Sequence, residues 1–241
     1  MGQVVTLLVL EDDDGIRAAL GLAMEDEGYD VVEAASAESA LVQVGRTPPD
    51  LMLVDLTLGG MDGLAFIREV RPFSRAPIIV VSARSGTDDI ISALEAGADD
   101  YVTKPFQVAE IGARLRAMRR RSSDSGGGEA DDAGGGAPAP LVLSSEGPLV
   151  LDVGAGVVRR GGDEVRLTIT EFRLLVELAS PSGRVLSRRS LLERVWDRDY
   201  FGDERIVDVH VRRLRTKIER DPAAPVLVVT VRGQGYRLDT G

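Results

Sequence analysis

Five residues in this 241-residue chain have side chains suited to handling a phosphoryl group: Glu11, Asp12, Asp55, Ser82 and Lys104. Glu11 and Asp12 follow the apolar run "VVTLLVL" at 4–10, and Asp55 follows "LMLV" at 51–54. Ser82 ends "IIVVS", and Lys104 follows "DYVT" at 100–103. Carboxylates held close together repel and raise one another's pKa unless a cation lies among them. An all-oxygen set without histidine or cysteine suits Mg²⁺, which keeps several waters and room for a phosphate oxygen. With Mg²⁺ and Lys104 neutralising charge and the Ser82 hydroxyl donating to an oxygen, Asp55 is the candidate nucleophile and an aspartyl phosphate its product. Asp14 reads differently, as the cap of a helix beginning near Gly15. Lys104 is one of two lysines in a chain with 27 arginines. A lysine is a compact point charge and arginine a wide planar fork, so a narrow pocket already holding a cation accounts for the choice.

For these five side chains to meet, the apolar runs must lie side by side. Runs at 4–10, 30–34, 51–54, 77–81 and 100–103 alternate with helix-like stretches at 14–27, 37–45, 63–70, 87–96 and 107–120. Continuous apolar runs suit strands covered on both faces. Five β–α repeats predict an α/β fold with a doubly wound, five-stranded parallel sheet. Strand order 2-1-3-4-5 makes the first and third strands neighbours. The three carboxylates then converge at the switch point, where such sheets bind their ligands.

Residues 122–140, "SSDSGGGEADDAGGGAPAP", contain no large apolar side chain and read as a flexible linker. They separate a first domain at 1–121 from a second at 141–241, each long enough for its own core. The net charge of −10 divides into −8, −4 and +2 over these three parts, so the second domain is the basic-leaning one. With no cysteine and one histidine, the sequence excludes disulfides, thiolate metal sites and a His-rich metal centre. No apolar run approaches the length of a membrane span and the N-terminus lacks a signal peptide, which points to a cytoplasmic protein.

The combination of the acidic pair Glu11–Asp12, Asp55 in "DLTLGGMDG", Ser82-Ala83 and "GADDYVTKPF" at 97–106 resembles the receiver domain of two-component response regulators. The second domain resembles the winged-helix effector of the OmpR/PhoB group through "LTITEFRLL" (167–175), "LLERVW" (191–196), "VDVHVRRLRTKIE" (207–219) and "TVRGQGYR" (230–237). The resemblance implies a phosphoacceptor without enzymatic turnover: Asp55 takes a phosphoryl group from a phosphohistidine on a partner sensor kinase. It implies Mg²⁺ on Glu11, Asp12, Asp55 and the Thr57 carbonyl, contact of Lys104 with the phosphoryl group, and a switch made by Ser82 and Tyr101. It also implies a homodimer on phosphorylation, through a face that includes Asp99, Asp100, Glu110, Arg114 and Arg119. Two positions depart from the group's pattern. Gly59 stands where proline is common and is expected to loosen the loop beside Asp55. The stretch at 87–96 carries no Lys or Arg to pair with Glu110.

The second domain shows short strands with Gly-rich turns, helical stretches near 170–179, 187–196 and 204–219, and a closing hairpin. Thr168 and Glu171 are spaced as a capping box. The stretch 204–220 has an apolar stripe at Ile206, Val209, Leu214 and Ile218, with Arg205, His210, Arg212, Arg213, Arg215 and Lys217 over the rest. On charge alone this is either a solvated basic face or a helix for the DNA major groove. The resemblance favours DNA, with Arg205, His210, Arg212, Arg213 and Arg215 contacting it from the helix and Arg232 and Tyr236 from the wing. The loop 197–204 resembles the segment that touches RNA polymerase in this group and is equally readable as a plain connection. The overall expectation is a promoter-binding transcription regulator switched by phosphorylation. A Mg²⁺-dependent phosphatase with an aspartyl nucleophile is the enzyme alternative. It needs an aspartate two residues beyond the nucleophile, where this chain has Thr57.

Overall fold

The computed structural model describes residues 4–124, 139–144, 148–180, 183–196 and 203–240. The chain forms two compact units, Met1–Arg116 and Ala117–Gly241. Most of the stretch read as a linker, 125–138, lies outside the described residues, as does 197–202 of the loop at 197–204.

The first unit alternates strand and helix: β1 (Val5–Leu10), α1 (Asp14–Asp26), β2 (Tyr29–Ala34), α2 (Ala37–Arg46), β3 (Leu51–Val54), α3 (Gly63–Val70), β4 (Ile78–Ser82), α4 (Thr87–Ala96), β5 (Asp100–Thr103) and α5 (Val108–Asp124). The unit boundary falls inside α5, and that helix runs past residue 121 to Asp124. The five strands are parallel in the order β2-β1-β3-β4-β5. Every side chain of β3 and β4 is buried, as strands covered on both faces require.

Helix starts are set by local hydrogen bonds. Asp13, not Asp14, caps α1: its carboxylate accepts the Ile16 amide at 2.8 Å, while Asp14 is the first helical residue and pairs with Arg17. Asp62 caps α3 through the Ala65 amide at 2.7 Å. Gly63 follows because there is no room for more. A Cβ at this position would lie 2.1 Å from the Asp55 carbonyl oxygen, so the missing side chain lets α3 begin against the backbone of the candidate nucleophile.

The second unit has an antiparallel sheet of β6 (Leu141–Ser144), β7 (Leu149–Asp152), β8 (Val157–Arg160) and β9 (Asp163–Val165). Then come α6 (Ile169–Ala179), α7 (Arg188–Val195), α8 (Arg205–Ile218) and the hairpin β10 (Val228–Val231) with β11 (Gly235–Leu238). The Thr168–Glu171 capping box forms at the start of α6. The hairpin closes on the segment before α7 through a bridge between Leu186 and Tyr236. Gly235 permits this contact, with φ at 138° and a position where a Cβ would meet the Leu186 carbonyl oxygen at 2.0 Å.

Candidate functional site

The ends of β1, β3, β4 and β5 bring the five residues together. Glu11 and Asp55 are buried beside each other, Asp12 is exposed, and one oxygen from each of the three lies within 4.8 Å of the others. Lys104 crosses from the end of β5 and donates to Asp55 Oδ2 at 2.6 Å and to Glu11 Oε2 at 2.8 Å. Burial raises the Glu11 pKa, Lys104 acts against that, and the neighbouring Asp55 charge adds to the rise. For Lys104, burial works to lower the pKa, but the hydrogen bonds to Asp55 and Glu11 outweigh it and leave the ammonium favoured. Two buried carboxylates with one lysine between them still carry excess negative charge. That donor set, all oxygen and open to solvent at Asp12, fits a hard divalent cation.

Ser82 is fully buried at the end of β4 and accepts the Arg84 amide at 3.4 Å. The Tyr101 ring is buried, and its hydroxyl donates to the Arg84 carbonyl at 2.5 Å. Burial raises the Tyr101 pKa, while a hydrogen bond with Ser82 opposes the rise. Ser82 and Tyr101 therefore act on the same short segment after β4. Thr57 donates its amide to Asp55 Oδ1 at 3.0 Å.

The residues expected on a dimer face divide. Asp99 is fully buried: Arg71 donates to its Oδ2 at 2.6 Å and Ile78 donates its amide to the same oxygen at 3.0 Å. The expectation for Asp99 is corrected on that ground, since a carboxylate enclosed by its own chain offers nothing to a partner. Asp100 is likewise buried and pairs within the chain, with Arg114 at 2.8 Å, so it too is corrected. Arg114 also reaches Glu110, which is exposed, at 2.8 Å. The same-chain partner of Glu110 thus comes from one turn along α5.

In the second unit, α8 shows a broad apolar face built from Ile206, Val207, Val209, Val211, Leu214 and Ile218. His210 belongs to this face. It is fully buried with its ring 5.0 Å from that of Trp196, and the expectation that it touches DNA is corrected. Arg213 and Lys217 turn toward α6, where the buried carboxylate of Glu171 meets them at 2.9 and 2.5 Å. Arg215 donates to the Val228 carbonyl and to Thr230 at the start of the hairpin, at 2.8 Å each. Arg205 and Arg212 remain exposed on α8, two turns apart on one side of the helix, and Arg232 is exposed at the hairpin turn.

Tyr236 is the second correction on this surface. Its side chain is buried and its hydroxyl donates to Asp208 at 2.6 Å. Arg188 joins them, donating to Asp208 at 2.7 Å and to the Tyr236 oxygen at 3.3 Å, and lies 5.1 Å from the ring centre. Burial, then the Asp208 hydrogen bond and charge, push the Tyr236 pKa up to about 12. Arg188 and Asp208 went unnoticed in the sequence. Asp208 has a visible signal, an acid inside a basic helix one turn from Arg205 and Arg212. Arg188 has none, because its partners are 20 and 48 residues away.

Residues 7–116 match the response regulator receiver domain, and residues 162–238 match the transcriptional regulatory protein C-terminal domain. The chain is 47% identical over 238 residues to the transcriptional regulatory protein CseB of Streptomyces coelicolor, covering 99% of each chain. Among solved structures, a mutant of RitR superposes with a TM-score of 0.75 at 27% identity, over 98% of this chain and all of that one. The response regulator DrrB, described as a Thermotoga maritima OmpR/PhoB homologue, gives a TM-score of 0.51 at 26% identity, over 99% of this chain and all of that one.

Proposed function

The chain belongs to the two-component response regulators of the OmpR/PhoB type, transcription regulators with a receiver and a DNA-binding domain, and from that premise we propose that Asp55 is its phosphoacceptor. The observation that carries this reading is the Lys104 ammonium seated between Asp55 and Glu11 at the strand ends. A carboxylate oxygen of Asp55 attacks phosphorus, the P–N bond of a phosphohistidine on the sensor kinase breaks, and its electron pair returns to the imidazole nitrogen. Glu11, Asp12, Asp55 and the Thr57 carbonyl would hold Mg²⁺, which when bound offsets charge on the transferring group. Lys104 releases Asp55 and pairs with a phosphoryl oxygen instead, and Ser82 donates to another. Because the Tyr101 hydroxyl and Ser82 both bond to Arg84, a pull on Ser82 is felt at Tyr101. The chain thus stores a phosphoryl group and does not turn over a substrate.

In the second unit Arg205 and Arg212 enter the major groove and Arg232 reaches the minor groove or backbone. Phosphorylation favours a homodimer, with Glu110, Arg114 and Arg119 the remaining candidates for its contacts. Two tethered DNA-binding domains then meet paired half-sites at raised effective concentration. RNA polymerase contact through 197–204 belongs to the same reading, as does a cytoplasmic location; among the described residues no helix is long and apolar enough to cross a membrane. The test is phosphoryl incorporation from acetyl phosphate, followed by intact mass. Wild type gains one phosphoryl group and Asp55→Asn gains none; equal incorporation in the two sinks the assignment.

A further inference from the structure

Three amides of the loop between β3 and α3 are tied to three different carboxylates. Thr57 donates to Asp55 Oδ1 at 3.0 Å, Gly59 to Asp12 Oδ2 at 3.2 Å, and Met61 to Glu38 Oε1 at 3.3 Å. The donors are every second residue of the loop, and the acceptors come from the ends of β3 and β1 and from α2. Glu38 is held ionised: its carboxyl lies below the usual range because backbone amides, its own and that of Met61, donate to it. The loop is therefore fastened at both sides, with Gly59 in the middle facing the exposed acid of the pocket.

The residue type at 59 decides whether the middle bond exists. Proline has no amide hydrogen and cannot make it. Glycine here was expected to loosen the loop; instead it supplies a donor. Its backbone lies outside the left-handed region, and a Cβ added to it would meet nothing within 4 Å, so conformation and space do not demand glycine. What distinguishes this position is its N–H.

We propose that the Gly59 amide is a positioning group for the cation site, holding the exposed Asp12 carboxylate in place beside Glu11 and Asp55. This rests on the reading of those three acids as Mg²⁺ ligands. A free Asp12 side chain must give up rotamer freedom when a cation arrives. Anchored by Gly59, it has already done so. An ionised carboxylate has about four lone-pair sites, so one bond at Oδ2 leaves capacity for a metal ion.

The experiment is calorimetric titration of the full-length chain with Mg²⁺, without any phosphoryl donor, for wild type, Gly59→Ala and Gly59→Pro. Alanine keeps the amide and should bind within about twofold of wild type, whereas proline should bind roughly 3–10-fold more weakly, the scale of the net contribution of one ordinary hydrogen bond. Proline binding as tightly as wild type, or alanine as weakly as proline, overturns the proposal. If wild type takes up no Mg²⁺, the cation reading itself fails, a result distinct from equal binding by wild type and Gly59→Pro. Should Gly59→Pro not fold, amide hydrogen exchange at Gly59 in wild type and Asp12→Ala decides. Exchange should speed up about tenfold once the acceptor is gone, and unchanged protection overturns the proposal.

Discussion

The Lys104 ammonium lies 2.6 Å from Asp55 Oδ2, so the candidate phosphoacceptor is already paired with a cation delivered from the end of a different strand. The other lysine of the chain, Lys217, makes the same kind of contact with the buried carboxylate of Glu171 at 2.5 Å. In a sequence that otherwise uses arginine, both lysines end on enclosed carboxylates, and at the Asp55 pocket the compact ammonium takes less room than a planar fork would.

Lys104→Arg should therefore separate charge from shape. The guanidinium keeps the positive charge but is wider than the ammonium that now bridges Asp55 and Glu11 at 2.6 and 2.8 Å, so it is expected to crowd the space a phosphoryl oxygen would take. We expect the variant to accept phosphoryl groups from acetyl phosphate yet to lose most of the phosphorylation-driven gain in DNA affinity. Intact mass after treatment with the donor, and band-shift titrations with and without it, measure the two effects. A normal gain would show that the pocket has no need of lysine.

On the DNA-binding unit, exposure predicts two different failures. Arg212→Ala should weaken operator binding by about 1–3 kcal/mol and flatten its salt dependence, with unfolding unchanged. His210→Ala should instead cost about 2–4 kcal/mol of stability by opening a cavity against Trp196. Fluorescence of Trp196, the only tryptophan of the chain, follows that unfolding. If His210→Ala leaves the denaturation midpoint unchanged while abolishing DNA binding, its placement in the core is wrong.

The Tyr236 phenol links this unit to alkaline pH. Its folded pKa of about 12 exceeds the ordinary 10.0, so the neutral form is the one the fold favours. The corresponding stabilisation is fully present below pH 10 and is lost as pH rises through about 12. Chemical denaturation across that window should show a decline in wild type that is smaller in Tyr236→Phe, which has no proton to lose. Parallel declines in both proteins would assign the effect to other groups.

Some of what the structure corrected was legible in the sequence. His210 lies four residues after Ile206 and four before Leu214, which puts it on the apolar stripe, but its polar ring drew it to the basic side of the reading. Tyr236 alternates with Leu238, and strand periodicity sends both to one face. The fate of Asp99 was not legible: Arg71, which encloses it, stands 28 residues earlier, with β4 and α4 between them.

By itself the sequence determined the five β–α repeats, the placement of Glu11, Asp12, Asp55, Ser82 and Lys104 at strand ends, and the change to a winged-helix pattern after the Gly-rich stretch. These depend on local periodicity and on residue type, which are read along the chain. Only the tertiary structure decided which charges remain available. Arg213 and Lys217 are taken by Glu171, Arg215 by the β10 backbone, and Asp99 by Arg71. A charged side chain leaves solvent only where a distant partner compensates its desolvation, and partners separated by tens of residues meet only once the chain has folded.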